Sequence, residues 1–103
     1  MTKINTYQDE ERTIEISLKD SAGDDFDLTG WDIDIKIKNS STIITKSIGS
    51  GVTVPTLTNG IANMELTAED TAKDGPYVLE MRISDANSEV VVLKTTLNIY
   101  KKV

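Results

Sequence analysis

This sequence predicts an all-β fold, an antiparallel β-sandwich of seven to eight short strands forming one domain over residues 1–103. Three observations predict it. Trp31, Ile33, Ile35 and Ile37 alternate without a break against Asp32, Asp34, Lys36 and Lys38, the period of a strand with one buried and one wet face. The same period returns at Ile14, Ile16 and Leu18, and again at Tyr77, Leu79, Met81 and Ile83. Turn-forming clusters separate these runs at near-regular intervals, as in sandwiches and barrels.

The elements follow in order. Residues 2–7 form a short first strand, and 12–19 a firmer second one with Ile14, Ile16 and Leu18 inward. Asp20-Ser-Ala-Gly-Asp-Asp-Phe-Asp is a turn. Leu28-Thr-Gly leads into the Trp31 strand, and the tryptophan is expected in the core with the isoleucines that share its parity. Asn39-Ser-Ser turns the chain into a strand over 42–47, and residues 52–54 form a short edge strand ended by Pro55, which has no amide hydrogen to donate. Asn59-Gly60 suits the positive φ angles of a tight hairpin turn, and 61–66 follows with Ala62, Met64 and Leu66 inward. Thr67, followed by Asp70, resembles a capping box, yet the segment before Gly75-Pro76 is too short for an independent helix and reads as one connecting turn. Tyr77 stands where a tyrosine corner would, its hydroxyl returning to nearby backbone. The last and longest strand is 89–100, with Val91, Leu93, Thr95, Leu97 and Ile99 on one face and Val90 and Val92 on the other.

The composition narrows the function classes. Seventeen acidic against eleven basic residues give a net charge of −6, the wrong sign for nucleic acid or an anionic membrane surface. There is no cysteine for a disulfide or thiolate site, and no histidine to serve as a general base or metal ligand. No apolar run approaches the length of a membrane span. A soluble, acidic, single-domain protein is the expectation, and the absence of cysteine fits synthesis in a cytosol.

Candidate chemistry is sparse. Asp20, Asp24, Asp25 and Asp27 crowd one loop, but their spacing is not that of a calcium loop and no glutamate closes it. Asp32, Asp34 and Glu80 offer carboxylates, interleaved with Lys36, Lys38 and Arg82 as exposed cross-strand pairs are. No catalytic residue, metal or cofactor is expected, and the protein is read as a non-enzyme that works by association. Exposed apolar surface on the final strand, Val90 and Val92 with Tyr100, is the candidate interaction edge.

Leu28-Thr-Gly-Trp and its alternating strand, Asn59-Gly60, Leu66-Thr-Ala-Glu-Asp-Thr-Ala, Gly75-Pro-Tyr-Val-Leu-Glu and Leu97-Asn-Ile-Tyr form an ordered set. From about residue 12 onward that set resembles the small immunoglobulin-like domains of tailed-phage virions, above all the amino-terminal domain of the phage baseplate upper protein. The resemblance implies an immunoglobulin-like sandwich and a virion protein of the tail, baseplate or head surface, made in the bacterial cytoplasm. It further implies other phage structural proteins as partners, with a homo-oligomer among the possibilities. In that family the sandwich begins a longer chain; here the sequence stops at Val103, which fits either a free-standing protein or a separated domain. The alternative is a bacterial adhesion or carbohydrate-binding sandwich, which would put Trp31 or a tyrosine on the surface.

Overall fold

The computed structural model describes residues 4–101. Eight strands follow one another: β1 (Ile4–Tyr7), β2 (Arg12–Ser17), β3 (Asp32–Lys38), β4 (Ile43–Ile48), β5 (Gly51–Thr53), β6 (Ile61–Leu66), β7 (Gly75–Ser84) and β8 (Glu89–Tyr100). They form one continuous sheet in the order β1-β8-β7-β3-β4-β5-β6-β2, which curls until it is nearly closed like a barrel. A three-residue 3₁₀ turn, Leu57–Asn59, is the helical element among the described residues.

Alternation builds the core. Ile33, Ile35 and Ile37 lie opposite Ile83, Met81 and Leu79 in the β3–β7 ladder, and all six are buried. Tyr77 and Leu97 face each other in the β7–β8 ladder, and Ile14 and Ile16 lie opposite Met64 and Ala62 between β2 and β6. These inward rows meet inside the curl as one apolar cluster. Burial at this scale is worth about 1.5–3 kcal/mol per large side chain.

The sheet is mixed, not antiparallel throughout. β1 runs parallel to β8, with Ile4 beside Leu97 and Tyr7 beside Tyr100. Strands at opposite ends of a chain need no tight connection, so the whole domain serves as their crossover. β4 and β5 are also parallel, Ser47 beside Gly51 and Ile48 beside Val52. There the chain steps sideways by one strand without reversing. Gly49 and Gly51 take positive φ angles of 83° and 97°, and Ser50 N–H donates to the Ser47 carbonyl at 2.8 Å. β5 therefore lies between β4 and β6 and is not an edge.

Three other expectations change. Trp31 precedes the β3 ladder and is only half-buried, its ring edge-on to Phe26 with centroids 5.8 Å apart. Leu93, expected in the core, is likewise partly buried. Gly60 does take a left-handed φ of 67°, but as the cap of the 3₁₀ turn and not inside a two-residue hairpin. The backbone needs glycine there for a second reason: a Cβ would lie 2.5 Å from the Leu18 carbonyl oxygen and 2.9 Å from backbone atoms of Phe26.

Three sets of hydrogen bonds hold the segment after β6. Thr67 and Asp70 exchange hydrogen bonds as a capping box does, Thr67 N–H to Asp70 Oδ2 at 2.9 Å and Asp70 N–H to Thr67 Oγ1 at 3.2 Å. Thr71, fully buried, donates its hydroxyl to the Glu10 carbonyl at 3.0 Å and so ties this turn to the β1–β2 link. The Tyr77 hydroxyl donates to the Lys73 carbonyl at 3.1 Å, the tyrosine-corner bond expected of it.

Candidate interaction surface

The three residues marked as an interaction edge occupy different environments. Between β7 and β8 the register slips: Met81 lies opposite Leu93 but Arg82 opposite Val91, so Val92 is the extra residue of a bulge. Parity inverts across it. Val91 sits outward beside Arg82, Val90 lies opposite buried Ile83, and Val92 packs against the core. The expected outward pairing of Val90 with Val92 is thus replaced by exposed Val90 and Val91, at 47% and 45%. β8 is also not a terminal strand, since β1 pairs with it over residues 97–100. Before that point, Leu18 and Phe26 border a groove beside Val92. Bulges and covering loops are common ways of blunting a sheet edge.

Tyr100 is exposed at 47% and stands beside Tyr7 at 54%, with ring centroids 5.8 Å apart. Asn5 and Asn98 occupy the row next to them, and Asn98 Nδ2 donates to Asn5 Oδ1 at 3.2 Å. This aromatic–amide patch joins residues 93 positions apart in sequence, and no local pattern announces it.

The outward face of β3, β7 and β8 is a charge lattice. One row reads Lys36–Glu80–Lys94, the next Lys38–Val78–Thr96, and Asp34 lies opposite Arg82. Arg82 Nε donates to Glu80 Oε1 at 2.7 Å and Nη1 to Glu89 Oε1 at 2.8 Å. The hydrogen bond from Arg82 holds the Glu80 carboxyl below its usual value against the opposing effect of desolvation, helped by the charges of Arg82, Lys94 and Lys38. Carboxylates held ionised in this way suit surface pairing, whereas a general acid needs its pKa raised.

The aspartate loop is occupied with its own backbone. Asp20 Oδ1 accepts from the N–H groups of Ala22 and Asp24, at 2.9 and 3.0 Å, and Asp25 pairs with Lys19. Asp27 accepts from Thr29 N–H at 2.9 Å, and its bonds to Thr29 lower its pKa. A further ion pair joins Lys46 to Asp70 at 2.6 Å, their side chains only 12% and 16% exposed. It lies between β4 and the turn after β6, too far apart in sequence for any spacing rule to reveal.

No family model matches the sequence, and no curated protein matches it. Among solved structures the chain is similar to the N-terminal domain of phage TP901-1 ORF48, with a TM-score of 0.60 at 10% identity. The match covers 99% of this chain and 84% of that one. The chain thus has an all-β fold that a phage protein also uses, in agreement with the phage resemblance of its sequence. At this identity the likeness is one of fold.

Proposed function

We propose that this is a phage or prophage structural protein, a non-enzymatic docking module of the tail, baseplate or head surface. The observation that carries the reading is the fold shared with a phage protein domain over nearly the whole chain. The immunoglobulin-like sandwich belongs to the same proposal. Two features support it: a first strand parallel to the last, and a buried tyrosine at the start of the penultimate strand closing a corner onto Lys73. The protein then resides in the virion and acts by binding other phage structural proteins through exposed positions such as Val90 and Tyr100.

Electron microscopy of particles from an induced lysogen, with the protein labelled, tests this. Label at a fixed place on tail, baseplate or head is the expected result. Particles that carry none, from cells that express the protein, would refute it. The exposed Tyr7–Tyr100 pair beside two asparagines favours a second reading, a carbohydrate-binding module, because aromatic faces with amide neighbours suit sugar rings. Binding of cell-envelope polysaccharide that is lost in Tyr100→Ala would select it.

A further inference from the structure

Asn59-Gly60 stands apart from the other asparagines of this chain. Asparagine is a thermolabile residue, because the backbone nitrogen that follows it can attack its own side-chain amide. Of the six asparagines in the sequence, only Asn59 precedes glycine. Glycine has no Cβ to hinder the approach of that nitrogen. Asn59 is also exposed, at the end of the 3₁₀ turn, and its side-chain amide makes no hydrogen bond among the described residues.

The other five are held. Asn39 Oδ1 accepts from Ser41 N–H and Thr42 N–H at 3.0 and 2.8 Å. After Asn87 the attacking nitrogen would be that of Ser88, and its N–H donates to Asp85 Oδ1 at 2.7 Å. Asn5, Asn63 and Asn98 lie within strands and precede Thr6, Met64 and Ile99, whose side chains crowd the approach.

We propose that Asn59 is a site of spontaneous deamidation, and that the modification releases the loop over residues 18–28. The Gly60 nitrogen gives up its proton to base and attacks Cγ of Asn59. The new C–N bond closes a five-membered succinimide, and the side-chain nitrogen takes up a proton and leaves as ammonia. Water then opens the ring. Attack at Cγ breaks the new bond and gives aspartate. Attack at the backbone carbonyl carbon breaks the original peptide bond and leaves the chain running through Cγ, as isoaspartate. The net change is amide and water to carboxylic acid and ammonia.

Isoaspartate adds one methylene to the main chain where there is no room for it. Gly60 is buried, a Cβ on it would lie 2.5 Å from the Leu18 carbonyl oxygen, and its own carbonyl accepts from Leu18 N–H at 2.7 Å. Leu57, in the same turn, accepts from Leu28 N–H at 2.8 Å. A lengthened turn cannot keep both bonds, so both ends of the loop come free. Ring closure requires Asn59 to rotate against this clamp, and therefore proceeds from the locally opened turn. Opening permits the reaction, and the reaction prevents reclosure.

Peptide mapping by mass spectrometry after incubation in mildly alkaline buffer, with enzymatic methylation to mark isoaspartate, tests this. The mass change of NH replaced by O should appear at residue 59 before any other asparagine, and faster as pH rises. Its rate should lie within about a hundredfold of that of a free peptide of residues 54–64, the margin set by opening of the turn. Isoaspartyl protein, separated by its added negative charge, should show faster hydrogen exchange at the Leu18 and Leu28 amides and altered Trp31 fluorescence. Asn59→Gln, which would have to close a six-membered ring, should neither convert nor loosen. Freshly prepared Asn59→Asp carries the charge without the methylene and should keep the loop closed. The proposal is overturned by an Asn59 that stays intact beyond that margin, by another asparagine converting first, or by isoaspartyl protein whose Leu18 and Leu28 amides exchange as in the wild type. A loop that opens in Asn59→Asp overturns it too, since charge and not chain lengthening would then be the cause.

Discussion

Replacing Gly60 by alanine should be among the most damaging single-methyl additions to this protein. The residue sits at φ 67°, where an L side chain costs about 1–2 kcal/mol. The new Cβ would also meet three backbone atoms, Leu18 O at 2.5 Å and Phe26 N and O at 2.9 Å. Backbone cannot rotate aside as a flexible side chain can, so the 18–28 loop must lift off the turn. That loop is held by Leu18 N–H on the Gly60 carbonyl at 2.7 Å and Leu28 N–H on the Leu57 carbonyl at 2.8 Å. Losing both adds about 1 kcal/mol each, for a total of about 3–4 kcal/mol. In a domain this size that lowers the melting temperature by about 12 °C or more. Urea denaturation followed by circular dichroism gives the free energy, and Trp31 fluorescence reports the loop, since Trp31 packs on Phe26. Gly23→Ala is the control: its φ is 87°, but nothing lies within 4 Å of its Cβ, so only the conformational cost of about 1 kcal/mol should appear. Equal costs for the two variants would refute the argument from close approach.

Two further substitutions probe polar groups. Thr6 is buried and its hydroxyl has no hydrogen-bond partner among the described residues, so the isosteric Thr6→Val should raise stability by about 1 kcal/mol; a lower denaturation midpoint would reveal a partner for that oxygen. Burial opposes ionisation of Asp70, but hydrogen bonds from Lys46 and Thr67 N–H and the lysine charge outweigh it, leaving the folded pKa below the ordinary value of 3.8. An acid depressed by folding contributes stability that is full above its unfolded pKa and lost as pH falls through its folded one. Asp70→Asn should therefore cost about 2 kcal/mol at neutral pH and flatten the acid limb of stability against pH, whereas an unchanged acid limb would show that the pair contributes nothing.

Much of this structure is legible in its sequence, and the failures have physical causes. The isoleucines of β3 and the Tyr77–Ile83 run locate the core because each apolar residue is flanked by polar ones, so parity is unambiguous. Val90-Val91-Val92-Leu93 carries no such marker, and a bulge inside an all-apolar run leaves no trace in the pattern. Trp31 shares the isoleucines' parity but stands one residue outside the ladder, where parity no longer decides burial. The Gly49-Ser-Gly step looks like any turn; that it displaces the strand without reversing it depends on which neighbour the chain meets next. Of the interaction surface, the alternation of lysines and acids on β3 and β7 is visible at once, whereas the Tyr7–Tyr100 contact needs the pairing of the two ends.

That parallel pairing of β1 with β8 has a mechanical consequence. In a parallel pair, the start of one strand and the end of the other lie at opposite ends of the ladder. A pull between residue 4 and residue 101 therefore loads the Ile4–Tyr7 ladder lengthwise, and its hydrogen bonds resist together in shear. An antiparallel pair of terminal strands would instead peel open one bond at a time under the same force. Rupture of the β1–β8 ladder must precede extension of the rest, so resistance to tension is set by the activation barrier at these four residue pairs and not by the equilibrium stability of the domain.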